Sequence, residues 1–177
     1  MVISQWKARY LAARNRWWFR WGTDLLLLFV VVIALSAWQT RGHLKGPAPA
    51  FSLQTLSGQT LGSASLTGKP VLLAFWAPWC SVCKSESQNL SWAQKVVGDH
   101  ARVISVASSW NEIGQVQGYV ADHAVDYPVV LDTVDLASQF HVEAYPTVYF
   151  LDADGKVKHS SVGYTTTLGL LARVWLP

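Results

Sequence analysis

The chain of 177 residues contains two cysteines, Cys80 and Cys83, with two residues between them. Three residues after the second cysteine stands a carboxylate, Glu86. Two thiols at this spacing can form a redox-active disulfide, bind a soft metal ion or make a small static bridge. These uses require different surroundings, so the elements on either side of the pair decide among them.

A buried strand is predicted before the pair and a helix after it. Val71 to Phe75 is a continuous apolar run, typical of a strand buried on both faces. Residues 81–97 have the pattern of a helix, which places Cys80 at its N-terminus. The free N–H groups and the helix dipole there favour a thiolate. Cys83, one turn later, is placed to resolve a mixed disulfide formed on Cys80.

The other two uses of the cysteine pair fit less well. A static bridge across two residues constrains little of the unfolded chain. A closed zinc site requires four ligands, and the chain has no second CxxC and five scattered histidines. A Cu(I) site made by the two thiolates stays open as the alternative. We therefore predict a redox-active Cys80–Cys83 disulfide with no cofactor and no resident metal, and with Trp76 and Trp79 as apolar walls beside it.

Glu86 lies on the face of the predicted helix that looks into the core. Cys83, Glu86, Leu90, Ala93 and Val97 follow one another at intervals of three or four residues, which is one helical stripe. A carboxyl group that is buried beside the thiols has a raised pKa and can exchange protons near neutral pH. The alternative is an acid in the first turn that only stabilises the helix dipole.

The rest of the body alternates between strand and helix patterns, in the order β-α-β-α-β-α-β-β-α after a small N-terminal hairpin. Further strands are predicted at residues 102–107, 129–131, 147–151 and 156–162. Further helices are predicted at residues 112–123, 135–140 and 165–175. This order predicts an α/β domain with a central mixed β-sheet flanked by helices on both faces.

The N-terminal segment differs from the body in charge and in hydropathy. Leu25 to Trp38 carries no charge, and we predict one transmembrane signal-anchor helix at residues 21–40 with aromatic belts at both ends. Residues 1–20 are basic and are placed in the cytoplasm by the positive-inside rule. Residues 41–50 have the Gly/Pro content of a linker, and residues 51–177 form the exported domain.

Two alternatives for this segment are a signal peptide cleaved near Ala34-Leu35-Ser36 and a buried helix of the body. Both the anchor and the signal peptide export the body. The formal net charge of +3 arises from residues 1–43, which hold six Lys/Arg and one acid, whereas the remainder is slightly acidic. No basic stripe marks the body, so we expect no nucleic-acid partner.

Two separated motifs give the chain a family resemblance. Residues 75–83, FWAPWCSVC, followed much later by Tyr145-Pro146-Thr147, resemble a thioredoxin-fold oxidoreductase. The long gap between the motifs resembles the TlpA/ResA/DsbE branch, which has a central helical insertion. The ending from Val162 to Trp175 is most similar to the suppressor-of-copper-sensitivity D (ScsD-like) group of disulfide oxidoreductases.

The resemblance implies a thioredoxin-like fold and roles for particular residues. Pro146 is expected to be cis and to pack against the cysteine pair. Tyr145, Pro146 and Thr147 are expected to form the substrate-binding site together with Trp76 and Trp79. Glu86 matches the acid that this branch carries on its active-site helix. The implied activity is a periplasmic thiol:disulfide oxidoreductase, a reductase of protein disulfides at the bacterial inner membrane. A transmembrane thiol-electron transporter (DsbD/CcdA/ScsB-like) is the implied reductant.

Overall fold

The computed structural model describes residues 21–34, 42 and 44–175, and the chain divides into two units, residues 1–41 and 42–177. In the first unit, residues 21–34 are helical (α1) and their side chains are exposed. Within the described part of the chain, no helix combines the length and the apolarity that a membrane crossing demands. The predicted span at 21–40 includes residues 35–40, which lie outside the described residues, as does the predicted cytoplasmic segment 1–20.

Among the described residues of the second unit, six strands form a mixed sheet in the order β1-β8-β7-β4-β5-β6. The strands of this sheet are β1 (Gly46–Pro47), β4 (Val71–Trp76), β5 (Arg102–Ala107), β6 (Val129–Leu131), β7 (Thr147–Leu151) and β8 (Lys156–Val162). Strands β4, β5 and β6 are parallel, whereas β7 is antiparallel to β4 and to β8. A separate hairpin pairs β2 (Ser52–Gln54) with β3 (Thr60–Gly62) and leads into a 3-10 helix, Ser63–Leu66.

Four helices of this unit follow the strands: α2 (Ser81–Val97), α3 (Ile113–Asp122), α4 (Leu136–Gln139) and α5 (Thr167–Trp175), counted over the described residues. Alternate residues of β4 face opposite sides of the sheet. Leu72 and Ala74 pack in a cluster with residues of α2 and α5, whereas Leu73 and Phe75 pack in a second cluster with residues of α4. Both faces of β4 are therefore buried, which explains its continuous apolar run.

The observed elements confirm the predicted order of strands and helices and the N-terminal hairpin. Strand β1 was not predicted. Gly46 and Pro47 lie in the segment that the sequence predicts to be a linker, and they pair with Val157 and Lys156 of β8. Helix α5 begins at Thr167 rather than at Thr165, since the backbone of Thr165 belongs to a loop that contacts α2.

Candidate functional site

The two cysteines form a disulfide where β4 meets α2. Cys80 is the N-cap residue of α2, and its Sγ accepts a hydrogen bond from the backbone N–H of Cys83 at 3.1 Å. The Cα atoms are 5.3 Å apart, and each cysteine is at most 5% exposed. The predicted pairing and the predicted place of Cys80 at the helix start are both confirmed. One free N–H group of the helix terminus thus already points at the sulfur that would become the thiolate.

Glu86 lies inside the protein on the same face of α2 as Cys83. Its side chain is 1% exposed, and the stripe formed by Cys83, Leu90, Ala93 and Val97 is buried with it. The periodicity therefore predicted the orientation of Glu86 correctly. Ser87, the next residue, is also buried and donates its hydroxyl to the carbonyl of Lys84.

Burial changes the proton affinity of Glu86. Loss of hydration raises the pKa of Glu86 from 4.5 to about 7, although hydrogen bonds from Thr165 oppose the change. The backbone N–H of Thr165 donates to Oε1 of Glu86 at 3.0 Å. The carboxyl group therefore exchanges protons near neutral pH, one helical turn after Cys83.

Two aromatic rings close the interior side of the disulfide. Trp76 is 4% exposed and stacks on Tyr119 of α3 with ring centroids 4.0 Å apart. Within the described residues, the Nε1–H of Trp76 has no hydrogen-bond partner. Burial raises the pKa of Tyr119 to about 12, so its hydroxyl stays neutral near pH 7, with Ser87 as its side-chain hydrogen-bond partner. The predicted apolar wall at Trp76 is confirmed, and Tyr119 is an addition from α3.

Trp79 lies on the opposite, outer side of the disulfide and is 67% exposed. Its Nε1–H donates to the carbonyl of Ser109 at 3.0 Å, and its ring contacts that of Tyr145 edge-on at a centroid distance of 5.9 Å. The hydroxyls of Ser109 and Tyr145 are 3.2 Å apart. Ser109 therefore links Trp79 to Tyr145 and joins them into one surface beside the cysteine pair.

Ser109 carries no signal in the sequence that would have identified it. Its backbone is left-handed, with φ of 51°, a conformation that non-glycine residues rarely adopt. Such a conformation costs about 1–3 kcal/mol and persists only where the surrounding structure compensates for it, often at functional sites. Ser109 makes its two hydrogen-bond contacts to Trp79 and Tyr145 from this backbone geometry.

The segment Tyr145-Pro146-Thr147 divides into an accessible and a buried part. The Tyr145–Pro146 peptide bond is cis, as the resemblance implied. The pairing of β4 with β7 begins at Thr147, so the backbone of Tyr145 lies beyond the paired register, whereas the carbonyl of Pro146 accepts from Gly163. Thr147 is fully buried, and its hydroxyl donates to the carbonyl of Ala144 at 2.8 Å. The side chain of Thr147 thus supports the loop from inside.

A groove of about 470 Å³ runs between the start of α2 and helix α3. One wall contains Pro78, Trp79 and Lys84. The other wall consists of residues on or beside α3: Asn111, Gly114, Gln115, Gly118, Tyr119, Asp122 and His123. Trp79 therefore belongs both to this groove and to the surface that it forms with Ser109 and Tyr145.

Comparisons with known proteins agree with this geometry. A family model described as the AhpC/TSA family matches residues 44–160. The thioredoxin-like protein YneN of Bacillus subtilis is 35% identical over 121 residues, which make up 67% of this chain and 71% of that protein. The thiol-disulfide oxidoreductase ResA of the same species is 30% identical over 121 residues, or 67% of each chain.

Solved structures show the same likeness in three dimensions. A thiol:disulfide interchange protein of the thioredoxin family from Chlorobium tepidum superposes with a TM-score of 0.67 at 28% identity. The superposition covers 75% of this chain and 96% of that one. The DsbF protein of MTB is 29% identical, with a TM-score of 0.65 over 71% of this chain and 92% of its own. The fold of this chain is therefore shared with solved thiol:disulfide interchange proteins.

Proposed function

We propose that this member of the AhpC/TSA family of thioredoxin-like proteins, a thiol-disulfide oxidoreductase, reduces protein disulfides in the bacterial cell envelope. The observation that supports this best is the position of Glu86, buried one turn after Cys83 with a pKa raised to about 7. A group with this proton affinity can accept the proton of a thiol at the pH of the envelope.

The proposed reaction has two exchange steps. The Cys80 thiolate attacks one sulfur of the substrate disulfide, forms a mixed disulfide and releases the other substrate sulfur as a thiolate, which takes up a proton. Glu86 accepts the proton of the Cys83 thiol, and the Cys83 thiolate attacks Cys80 Sγ. The second substrate thiolate then leaves and is protonated, while Cys80 and Cys83 form the disulfide seen in the structure. Two electrons pass from the cysteine pair to the substrate.

The charge near the cysteine pair favours reduction over oxidation of substrates. A dithiol protein becomes a strong oxidant when its thiolate is stabilised. Here an ionised Glu86 places negative charge on the face of α2 that holds Cys83, and the residues between the cysteines are the neutral Ser81 and Val82. We expect a reduction potential closer to about −270 mV, as in thioredoxin, than to about −120 mV, as in the oxidant DsbA.

The surface that joins Trp79, Ser109 and Tyr145 is proposed to receive the substrate. An extended substrate segment would pair with the backbone of Tyr145, which lies beyond the paired register of β4 and β7. The exposed indole of Trp79 supplies apolar contact area next to Cys80. Substrates of this kind are protein segments that contain a disulfide.

The place of action is proposed from the N-terminal sequence. An anchor at residues 21–40 with basic residues before it would hold the domain in the periplasm, on the outer face of the inner membrane. A reductase in that compartment requires electrons from the cytoplasm. We propose that a transmembrane thiol-electron transporter reduces the Cys80–Cys83 disulfide after each turnover.

Substitution of Cys83 by Ser in the full chain tests the proposal. The variant cannot resolve mixed disulfides, so substrate proteins stay attached to Cys80 and appear as discrete complexes that disappear on reduction. The variant that also replaces Cys80 by Ser is the control and should trap nothing. No trapped proteins, together with stoichiometric Cu(I) binding and no disulfide reduction by the unmodified chain, would favour the copper-binding alternative and refute the proposal.

A further inference from the structure

The loop between β8 and α5, residues 163–166, contacts α2 beside Glu86. The backbone N–H of Thr165 donates to the carboxylate of Glu86 at 3.0 Å, and Thr165 is itself 5% exposed. The hydroxyl of Thr165 lies 3.0 Å from that of Ser161. A hydrogen bond to a carboxylate favours its ionised form, so the position of this loop affects how strongly Glu86 holds its proton.

Asn89 bonds the same loop at the carbonyl of Thr165, whereas Glu86 bonds it at the N–H of Thr165. It lies on α2 one turn after Glu86, and its Nδ2 donates to the carbonyl of Thr165 at 2.9 Å. Its Oδ1 accepts from the hydroxyl of Thr167 at 3.2 Å. The N–H and the carbonyl of Thr165 are therefore both bonded to side chains of α2, and a movement of the loop would break both contacts.

We propose that Asn89 is a positioning residue that sets the proton affinity of Glu86 by fixing the Thr165 peptide against its carboxylate. This inference rests on the proposed function of Glu86 as the proton acceptor for Cys83. Without Asn89, the loop is free to move away from α2. The Thr165 N–H then no longer opposes the rise in the pKa of Glu86 that burial causes. Glu86 then holds its proton to higher pH.

Other ionisable groups face Glu86 from three elements. Cys83 lies one turn earlier on α2, Tyr119 projects from α3, and Tyr127 lies in the segment before β6. Burial raises the pKa of both tyrosines, that of Tyr119 to about 12, so neither carries charge near pH 7. In the oxidised protein Cys83 does not titrate. A titration near neutral pH in that state therefore reports Glu86 rather than these three neighbours.

The test is an NMR titration of the oxidised, full-length protein in detergent. The side-chain carboxyl carbon of Glu86 reports its own ionisation, and replacement of Asn89 by Ala should raise the midpoint by about one pH unit, the size expected for a charge-assisted hydrogen bond. The control is Gln88→Ala, an exposed neighbour on the same helix, which should leave the midpoint unchanged.

A second measurement links the titration to the reaction. In the reduced protein, the pH dependence of mixed-disulfide resolution should move upward with Asn89→Ala by the same amount as the NMR midpoint. If the variant does not fold, Thr167→Val removes only the bond that orients the Asn89 amide and should move the midpoint in the same direction. An unchanged midpoint in a folded variant overturns the inference. Absence of disulfide exchange by the unmodified chain would instead count against the proposed function, since the NMR titration does not depend on activity.

Discussion

Replacement of Glu86 by Gln separates the proton chemistry of this residue from its structural role. The two side chains have the same shape, and the amide oxygen of Gln can still accept the hydrogen bond from the Thr165 N–H. The variant can neither take up a proton nor carry the negative charge of an ionised Glu86. Loss of the pH dependence of mixed-disulfide resolution therefore reports the acid–base function of Glu86, whereas a change in reduction potential reports its charge.

The expected loss of rate follows from the ionisation of Cys83. A thiol with an ordinary pKa of about 8.5 is only about 3% ionised at pH 7, so a base that removes its proton can accelerate its attack by up to roughly thirtyfold. We expect Glu86→Gln to slow resolution of the mixed disulfide by about 10- to 30-fold at pH 7, and by much less above pH 8.5. Rapid-mixing kinetics with a fluorescent disulfide peptide measure this step, whereas the initial attack by Cys80 should keep its rate.

The same substitution has a distinct effect on stability. The pKa of Glu86 is higher in the folded protein, about 7, than its ordinary value of 4.5, so the folded state binds more protons than the unfolded state between these pH values. The free energy of unfolding of the oxidised protein therefore falls as the pH rises from about 4.5 to about 7, by about 3 kcal/mol. Glu86→Gln should lack this fall. A variant with the pH profiles of the unmodified protein in both kinetics and denaturant unfolding would show that another group is responsible.

Three further substitutions test other parts of the structure. Ser109→Ala removes the hydroxyl next to that of Tyr145 and should raise KM for a disulfide peptide about two- to fivefold with kcat unchanged; an equal fall in kcat would contradict a role confined to binding. Leu73→Ala in the centre of β4 should lower the free energy of unfolding by about 2–5 kcal/mol, whereas the exposed Val82→Ala should change it by less than about 0.5 kcal/mol. Asp132 accepts hydrogen bonds from the N–H groups of Leu136 and Ala137 at the start of α4. Asp132→Ala should therefore lower the free energy of unfolding by about 1–2 kcal/mol without changing the alkylation rate of Cys80. A change in that rate would argue for a coupling between α4 and the active site.

Much of the domain follows from local pattern. The strands at 102–107, 129–131 and 147–151 were predicted at their observed boundaries, because buried strands read as apolar runs bounded by turn residues. The strand at 156–162 was predicted from the Asp154-Gly155 turn that precedes it. The orientation of Glu86 followed from the period of a helix, since Cys83 three residues before it and Leu90 four residues after it belong to one apolar stripe. These features depend on residues close to one another in the chain.

The parts that could not be predicted depend on contacts between distant residues. Thr165 and Glu86 are far apart in the sequence, and no pattern indicates which loop N–H will meet a buried carboxylate. Strand β1 consists of Gly46 and Pro47, which have no apolar alternation and pair with β8 only because that edge is available. Residue type did not distinguish the two tryptophans beside the cysteines: Trp76 ends a buried strand, whereas Trp79 lies in the exposed turn after it.

The residues described above fall into two groups along the chain, and this has a consequence for how such a protein can diversify. Cys80 and Glu86, to which we assign the transfer of electrons and protons, lie at the N-cap and in the second turn of α2, and Thr165, which bonds Glu86, lies in the loop between β8 and α5. The segment between β5 and β6 instead supplies Ser109 and the α3 wall of the groove, which shape the rim around the disulfide. With the substrate surface that we propose, grafting this segment between relatives would change partner choice and leave Cys80, Cys83 and Glu86 unchanged.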